Sequence, residues 1–163
     1  MNRGWSIGVA AAGALLAGTA MAWGPLPAAS GCDSIASVPL RQHMNYNDDI
    51  QSIFDARCAN CHVQPEGQPA ADLLLDAPDS WFFLVGEPSS QNSAFIRVVP
   101  GNPFNSLLFL KVNCETPGVG VRMPRNRPAI SAQEQAMIHD WILAGAPIDS
   151  DDTVFRAEFE SRG

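Results

Sequence analysis

The 163-residue chain is predicted to fold as an all-α, loop-rich domain. Three observations carry this. A capping box, Ser131-Ala132-Gln133-Glu134, opens an apolar run through Ala136, Met137, Ile138, Trp141 and Ile142, and Gly145 and Pro147 close it. An Asn/Asp-rich stretch at 45–49 opens a second run with Ile50, Ile53 and Phe54 on one helical face. The 13 Pro and 13 Gly lie largely between such runs while 46% of residues stay hydrophobic, the composition of a folded domain with long connections rather than of a disordered chain.

The N-terminus reads as a secretory signal over 1–22. Arg3 is the positive region, Ile7 to Ala22 is apolar and rich in Ala and Gly, and Ala20-Met21-Ala22 is an A-x-A cleavage site before Trp23. A second reading is a lipoprotein signal over 1–31. Ala29-Ser30-Gly31-Cys32 places small residues before a Cys that would be acylated, although Ala29 stands where such signals usually carry Leu. Either way the chain is expected to be exported, periplasmic or lipid-anchored to the cell envelope. Net charge is −7, and more negative without Arg3, which argues against nucleic acid as a partner.

Residues 23–45 read as a linker, with Pro25, Pro27, Gly31 and several Ser in no sustained period; His43 and Met44 at its end read as solvated loop residues. The domain proper is expected over 46–148. Asn47 is the expected N-cap of its first helix, with Asp48 and Asp49 at the positive end of the helix dipole, and the helix runs into Cys58. Pro65, Gly67 and Pro69 turn the chain. Leu73 to Leu75 and a short helix over Ser80 to Val85, with Trp81, Phe82, Phe83 and Leu84, are expected in the core or in a pocket wall. A short extended stretch is expected at Phe95 to Val99. Asn102 and Pro103 then start a helix that carries Leu107, Leu108, Leu110 and Lys111. Residues 116–127 are irregular, and 149–163 form an acidic tail.

Cys58-Ala59-Asn60-Cys61-His62 is a C-x-x-C-H sequence, the attachment signature of a c-type haem; by chance one is expected on the order of 0.002 times in a chain of this composition. Two thiols at this spacing add across the two vinyl groups of one porphyrin, and the next residue, His62, supplies the proximal imidazole. A soft second ligand from a downstream loop would complete the iron. Met123, in the Gly/Pro-rich stretch 116–127, is preferred for this over Met44, Met137, His139 and His43.

The order of helix, C-x-x-C-H, loop, helix, Met-Pro and helix resembles the class I c-type cytochromes over about 46–148. Ile53 to Cys58, Pro100-Gly101-Asn102-Pro103, Ser106-Leu107-Leu108, Arg122-Met123-Pro124, Trp141-Ile142 and Gly145-Ala146-Pro147 look like the cytochrome-c-like domains of secreted bacterial proteins and lipoproteins. The resemblance implies a cytochrome c-like fold, with helices around one covalently bound haem c. It implies thioethers at Cys58 and Cys61, iron ligands at His62 and Met123, and a crossing of first and last helices near Phe54 and Trp141. The implied function is electron transfer between redox protein partners, without enzymatic activity. Arg97, Arg122 and Arg125 are candidate neighbours of the haem propionates.

Three other functions fit parts of the sequence. An open sixth iron site would make the protein a haem enzyme or a gas or redox sensor. A zinc-binding domain would use Cys58 and Cys61 with two of Cys32, Cys114 and His62. A thioredoxin-like dithiol would need a β-α-β pattern that the chain lacks. Cys32 and Cys114 form a disulfide in one reading; in the other Cys32 is a membrane lipid anchor and Cys114 is a lone thiol or pairs with another molecule.

Overall fold

A computed structural model describes residues 31–63 and 69–149 of the protein. The signal readings up to residue 30, the turn at 64–68 and the tail from 150 onward lie outside the described residues. The described chain is helix-rich, and its β structure amounts to three isolated bridges, Cys32 with Cys114, Val85 with Val98 and Pro88 with Ile96. This agrees with the all-α expectation.

A π-helical turn, Tyr46–Ile50, runs directly into α1, Gln51–Arg57. Its N-cap is Asn45, not the expected Asn47: the Asn45 side chain accepts a hydrogen bond from the Asp48 backbone N–H at 3.2 Å. The wider π turn starts the coil earlier than an α-helical spacing predicts. The helix also does not carry the whole C-x-x-C-H sequence. It ends at Arg57, and a separate turn, α2 (Ala59–His62), follows after Cys58.

Two expected helices are altered. Ser80 to Val85 forms successive turns rather than a helix, and Phe82 and Phe83 are exposed instead of lining a pocket. The Ser80 hydroxyl explains the difference: it accepts from the Tyr46 phenol at 2.8 Å and donates to the Gln51 side-chain oxygen, so this segment is held by buried partners outside itself. Asn102 makes no side-chain cap. Pro103–Asn105 is a 3₁₀ turn, and α3 begins afterwards at Leu107–Asn113. The break falls at Ser106, whose hydroxyl is taken by the backbone of Val99 and Asn102. The expected extended stretch near Phe95 to Val99 holds two of the isolated bridges.

α4 (Ala132–Leu143) is the best-defined helix. The Ser131 hydroxyl accepts from the Glu134 N–H at 3.2 Å, and the Glu134 carboxylate accepts from the Ser131 N–H at 2.8 Å. At the other end Gly145, at φ +99°, donates to Ile142 while Ala146 donates to Trp141, the paired bonds of a Schellman stop that require a residue tolerant of positive φ. Arg57 bonds Glu134 at 2.8 Å and so ties the end of α1 to the start of α4. Ser131→Ala is expected to lower stability by about 1 kcal/mol in urea unfolding. The Glu134 carboxyl sits below its ordinary value: burial pushes it up, but the bonds from Arg57 and Ser131 outweigh burial. Its contribution is therefore full above the unfolded-state value of 4.5 and fades as pH falls through the lower folded-state value. Glu134→Gln should remove that part of the acid dependence when urea midpoints are compared across this window.

The core lies between the first and last helices. Tyr46 stands between Phe54 and Trp141, with ring centroids 6.3 and 5.2 Å away, and all three side chains are buried. The expected crossing near Phe54 and Trp141 is thus mediated by Tyr46. Ile50, Phe109, Ile138 and Ile142 complete this cluster. Met44 belongs to it as well, only 1% exposed, which corrects its reading as a solvated loop residue; His43 beside it is exposed. The alternation of one exposed and one buried residue is too short to register as a pattern in a stretch with no helix or strand.

Candidate functional site

The turn that carries His62 is positioned from both sides. The His62 carbonyl accepts from the Leu75 N–H at 2.7 Å, and the His62 ring Nδ1 lies 3.1 Å from the Leu73 carbonyl. Since a carbonyl only accepts, Nδ1 carries the proton and Nε2 keeps its lone pair for a metal. The 73–75 segment is in turn fixed by Gln51, which is buried and donates to the Leu75 carbonyl at 2.9 Å. Helix α1 therefore orients the imidazole through one side chain of its first turn. Burial pushes the His62 pKa down, against the opposing pull of the backbone carbonyls, so the neutral, ligand-competent ring is favoured.

A cavity of about 360 Å³ opens against this turn, within the roughly 300–1,000 Å³ range of cofactor pockets. Cys58, Cys61 and His62 line it, and so does Met123. The sequence-predicted set of four is brought to one space, although Met123 stands 61 positions after His62. None of the rival ligands His43, Met44, Met137 or His139 lines the cavity. His139 is engaged elsewhere, with Nδ1 2.9 Å from Asp140 Oδ1 and its ring against Phe104 and Phe109. Met123 reaches the cavity wall because its backbone N–H donates to the Lys111 carbonyl at 2.6 Å, hanging the irregular loop on α3.

Leu73, Leu75, Leu84, Leu107, Leu108 and Val112 make the wall apolar. Among the described residues the charged ones on it are all cations: Arg57, Arg97, Lys111, Arg125 and Arg127, half of the ten in the sequence, with no described Asp or Glu lining it. In a chain with 17 acids this is a strong segregation of charge. It suits an apolar ligand that carries anionic groups. Arg97 donates to neutral carbonyls, those of Phe83 at 2.8 Å and Asp72 at 3.1 Å, and among the described residues no carboxylate pairs with it directly. Arg97 and Arg125 thus stand where anionic groups could meet them. Arg122, the third expected propionate neighbour, does not line the cavity and is bonded to Asp33 and Glu115.

Sequence reasoning missed Lys111, Arg57 and Arg127. Lys111 is the only lysine in the chain and is only 9% exposed. Its ammonium donates at 3.4 Å to the Val121 carbonyl and at 3.5 Å to Gln91, and burial pushes its pKa down. The signal was legible: Lys111 stands three and four residues after Leu108 and Leu107, on their helical face. Gly120 allows the close approach, since a Cβ there would lie 2.9 Å from the ammonium nitrogen.

Cys32 and Cys114 are joined in a disulfide, while Cys58 and Cys61 are free thiols. Among the described residues no group of three or more His, Cys, Asp or Glu side chains converges as a metal site would need. Burial, with Cys61 beside it, pushes the Cys58 thiol up to about 11, the opposite of the lowered value that a reactive dithiol requires. Among the described residues no helix is long and apolar enough to cross a membrane. Comparison with family models, with curated proteins and with solved structures finds no match.

Proposed function

We propose that the protein is a monohaem c-type cytochrome with a cytochrome c-like fold, an electron carrier with His62 and Met123 as axial ligands. The observation that carries this reading is the one cavity lined by Cys58, Cys61, His62 and Met123 together. Bound haem would supply reversible one-electron chemistry at iron. The chain's own residues do the rest. Cys58 and Cys61 would hold the macrocycle through thioethers. His62 offers Nε2, its tautomer set by the Leu73 carbonyl. The Met123 thioether favours ferrous iron and so raises the potential relative to a second His. The leucine wall excludes water, which disfavours the extra charge of the ferric state, and Arg97, Lys111 and Arg125 would meet the propionate carboxylates.

If His62 and Met123 both ligate the iron, no iron site would be left for substrate, which would favour electron transfer between redox protein partners over catalysis or sensing. The disulfide uses the sulfur of Cys32, which favours the cleaved signal over a lipid anchor at that residue. The same bond, with the absence of a convergent group of ligands among the described residues, leaves little support for zinc. The deciding experiment is a pyridine haemochrome spectrum of protein exported together with haem-attachment machinery. One covalent haem c per chain is expected. A chain exported intact without covalent haem would refute the proposal. Mass spectrometry of the mature N-terminus checks the anchor, with an unacylated Cys32 expected.

A further inference from the structure

Met123 lies on an irregular loop, and no helix or strand of its own fixes it. The residue before it, Arg122, points away from the cavity wall and is 14% exposed. Its guanidinium donates to both carboxylate oxygens of Asp33, to Glu115 at 2.7 Å and to the Val112 carbonyl at 3.1 Å. Asp33 comes from the stretch whose sequence reads as a linker, yet it is firmly placed. Its N–H donates to the Asn113 carbonyl at 2.9 Å, its own carbonyl accepts from the Asn113 side chain at 3.0 Å, and its carboxylate accepts from Gln135 at 2.8 Å. One residue earlier Cys32 is cross-linked to Cys114 across a sequence separation of 82, and the Glu115 N–H donates to the Gly31 carbonyl at 2.7 Å. Residues 31–33 are thus laid along 113–115 as a strap, with a carboxylate aimed at the residue next to the candidate iron ligand.

We infer that Asp33, held in place by the Cys32–Cys114 disulfide, is a positioning residue for Met123: through Arg122 it keeps the thioether at the cavity wall. The inference rests on the proposed reading of Met123 as iron ligand. The loop is then held by the Met123 N–H on the Lys111 carbonyl, by the Lys111 ammonium on the Val121 carbonyl and by the Arg122 guanidinium, which Asp33, Glu115 and the Val112 carbonyl share. Removing the Asp33 carboxylate loosens the last of these, because Arg122 then keeps only the exposed Glu115 and the Val112 carbonyl, so the sulfur should dissociate more often while the fold and the haem stay.

The test uses the full exported chain with covalent haem. The ferric protein is read by its red sulfur-to-iron charge-transfer band and the ferrous protein by its rate of carbon monoxide binding, with haem content and far-ultraviolet dichroism alongside. Wild type should show the band; covalent haem without it would overturn the reading of Met123 itself, and the strap's role with it. Given the band, Asp33→Ala should raise the carbon monoxide binding rate about tenfold, since the paired Arg122–carboxylate bonds are lost while Arg122 keeps Glu115 and the Val112 carbonyl. Asp33→Glu should restore most of the wild-type behaviour, and Cys32→Ser combined with Cys114→Ser should shift both readouts the same way as Asp33→Ala. An unchanged band and rate in Asp33→Ala, with haem and helix content intact, overturns the inference. So does a lowered melting temperature with no change in either readout well below it, which would make Asp33 merely structural. Should Asp33→Ala lose helix content, Asp33→Asn keeps the shape and not the charge: a faster carbon monoxide rate in that variant supports the strap's role, and an unchanged rate overturns it.

Discussion

Met123→Ala should abolish the red charge-transfer band of the ferric protein and open the ferrous protein to carbon monoxide, while leaving the covalent haem in place. The expectation follows from what else lies within reach. Among the described residues no other Met and no His but His62 lines the cavity, so none of them offers a like substitute for the sulfur. Lys111 is the one other neutral-capable donor there, and its ammonium is held by Val121 and Gln91. Met123→His is the informative companion: it should remain closed to carbon monoxide but lower the reduction potential, because an imidazole favours ferric iron more than a thioether does. A red band that survived in Met123→Ala would show that sulfur reaches the iron from elsewhere or that the band has another origin.

Replacing Cys58 and Cys61 together by Ser should have a second, larger effect, on the fold as well as the cofactor. No haem should remain with the chain on a denaturing gel, since both thioethers are gone. The apolar space of about 360 Å³ would also lose its covalently held occupant. A group that binds only the native state stabilises it by mass action, and an apolar cavity left without it forfeits packing on every wall. The variant should therefore melt at a lower temperature and lose near-ultraviolet dichroism, with α4 and its capping box outlasting the turn at α2. A double variant that melts like the loaded wild type would mean that the cavity is not built around a ligand.

The elements that were legible in sequence are those whose signals are local. α4 is one, because its start needs only Ser131 and Glu134 and its stop only Gly145 and Pro147. The joint placement of Cys58, Cys61 and His62 on one cavity is another, since neighbours on one turn stay together. Met123 was preferred as a soft donor for its setting among Gly and Pro, and it stands on the cavity wall with His62. What misled were hydroxyls taken by partners that helix propensity does not count, distant ones for Ser80 and a local turn for Ser106. Ser80 is drawn to Tyr46 and Gln51, which unwinds the expected helix at 80–85. Ser106 is drawn to Val99 and Asn102, which delays α3.

By itself the sequence determined the helical class and singled out Cys58, Cys61, His62 and Met123 as the candidate site, because these depend on residue type and on spacing along the chain. Only the tertiary structure decided that the four share one cavity, that among the described residues five cations and no acid face it, that Arg122 turns away from it, and that residues 31–33 form a strap rather than a linker. Those are consequences of which distant groups satisfy each other once the chain closes. Burial and pairing between positions tens of residues apart leave no periodic trace in the sequence.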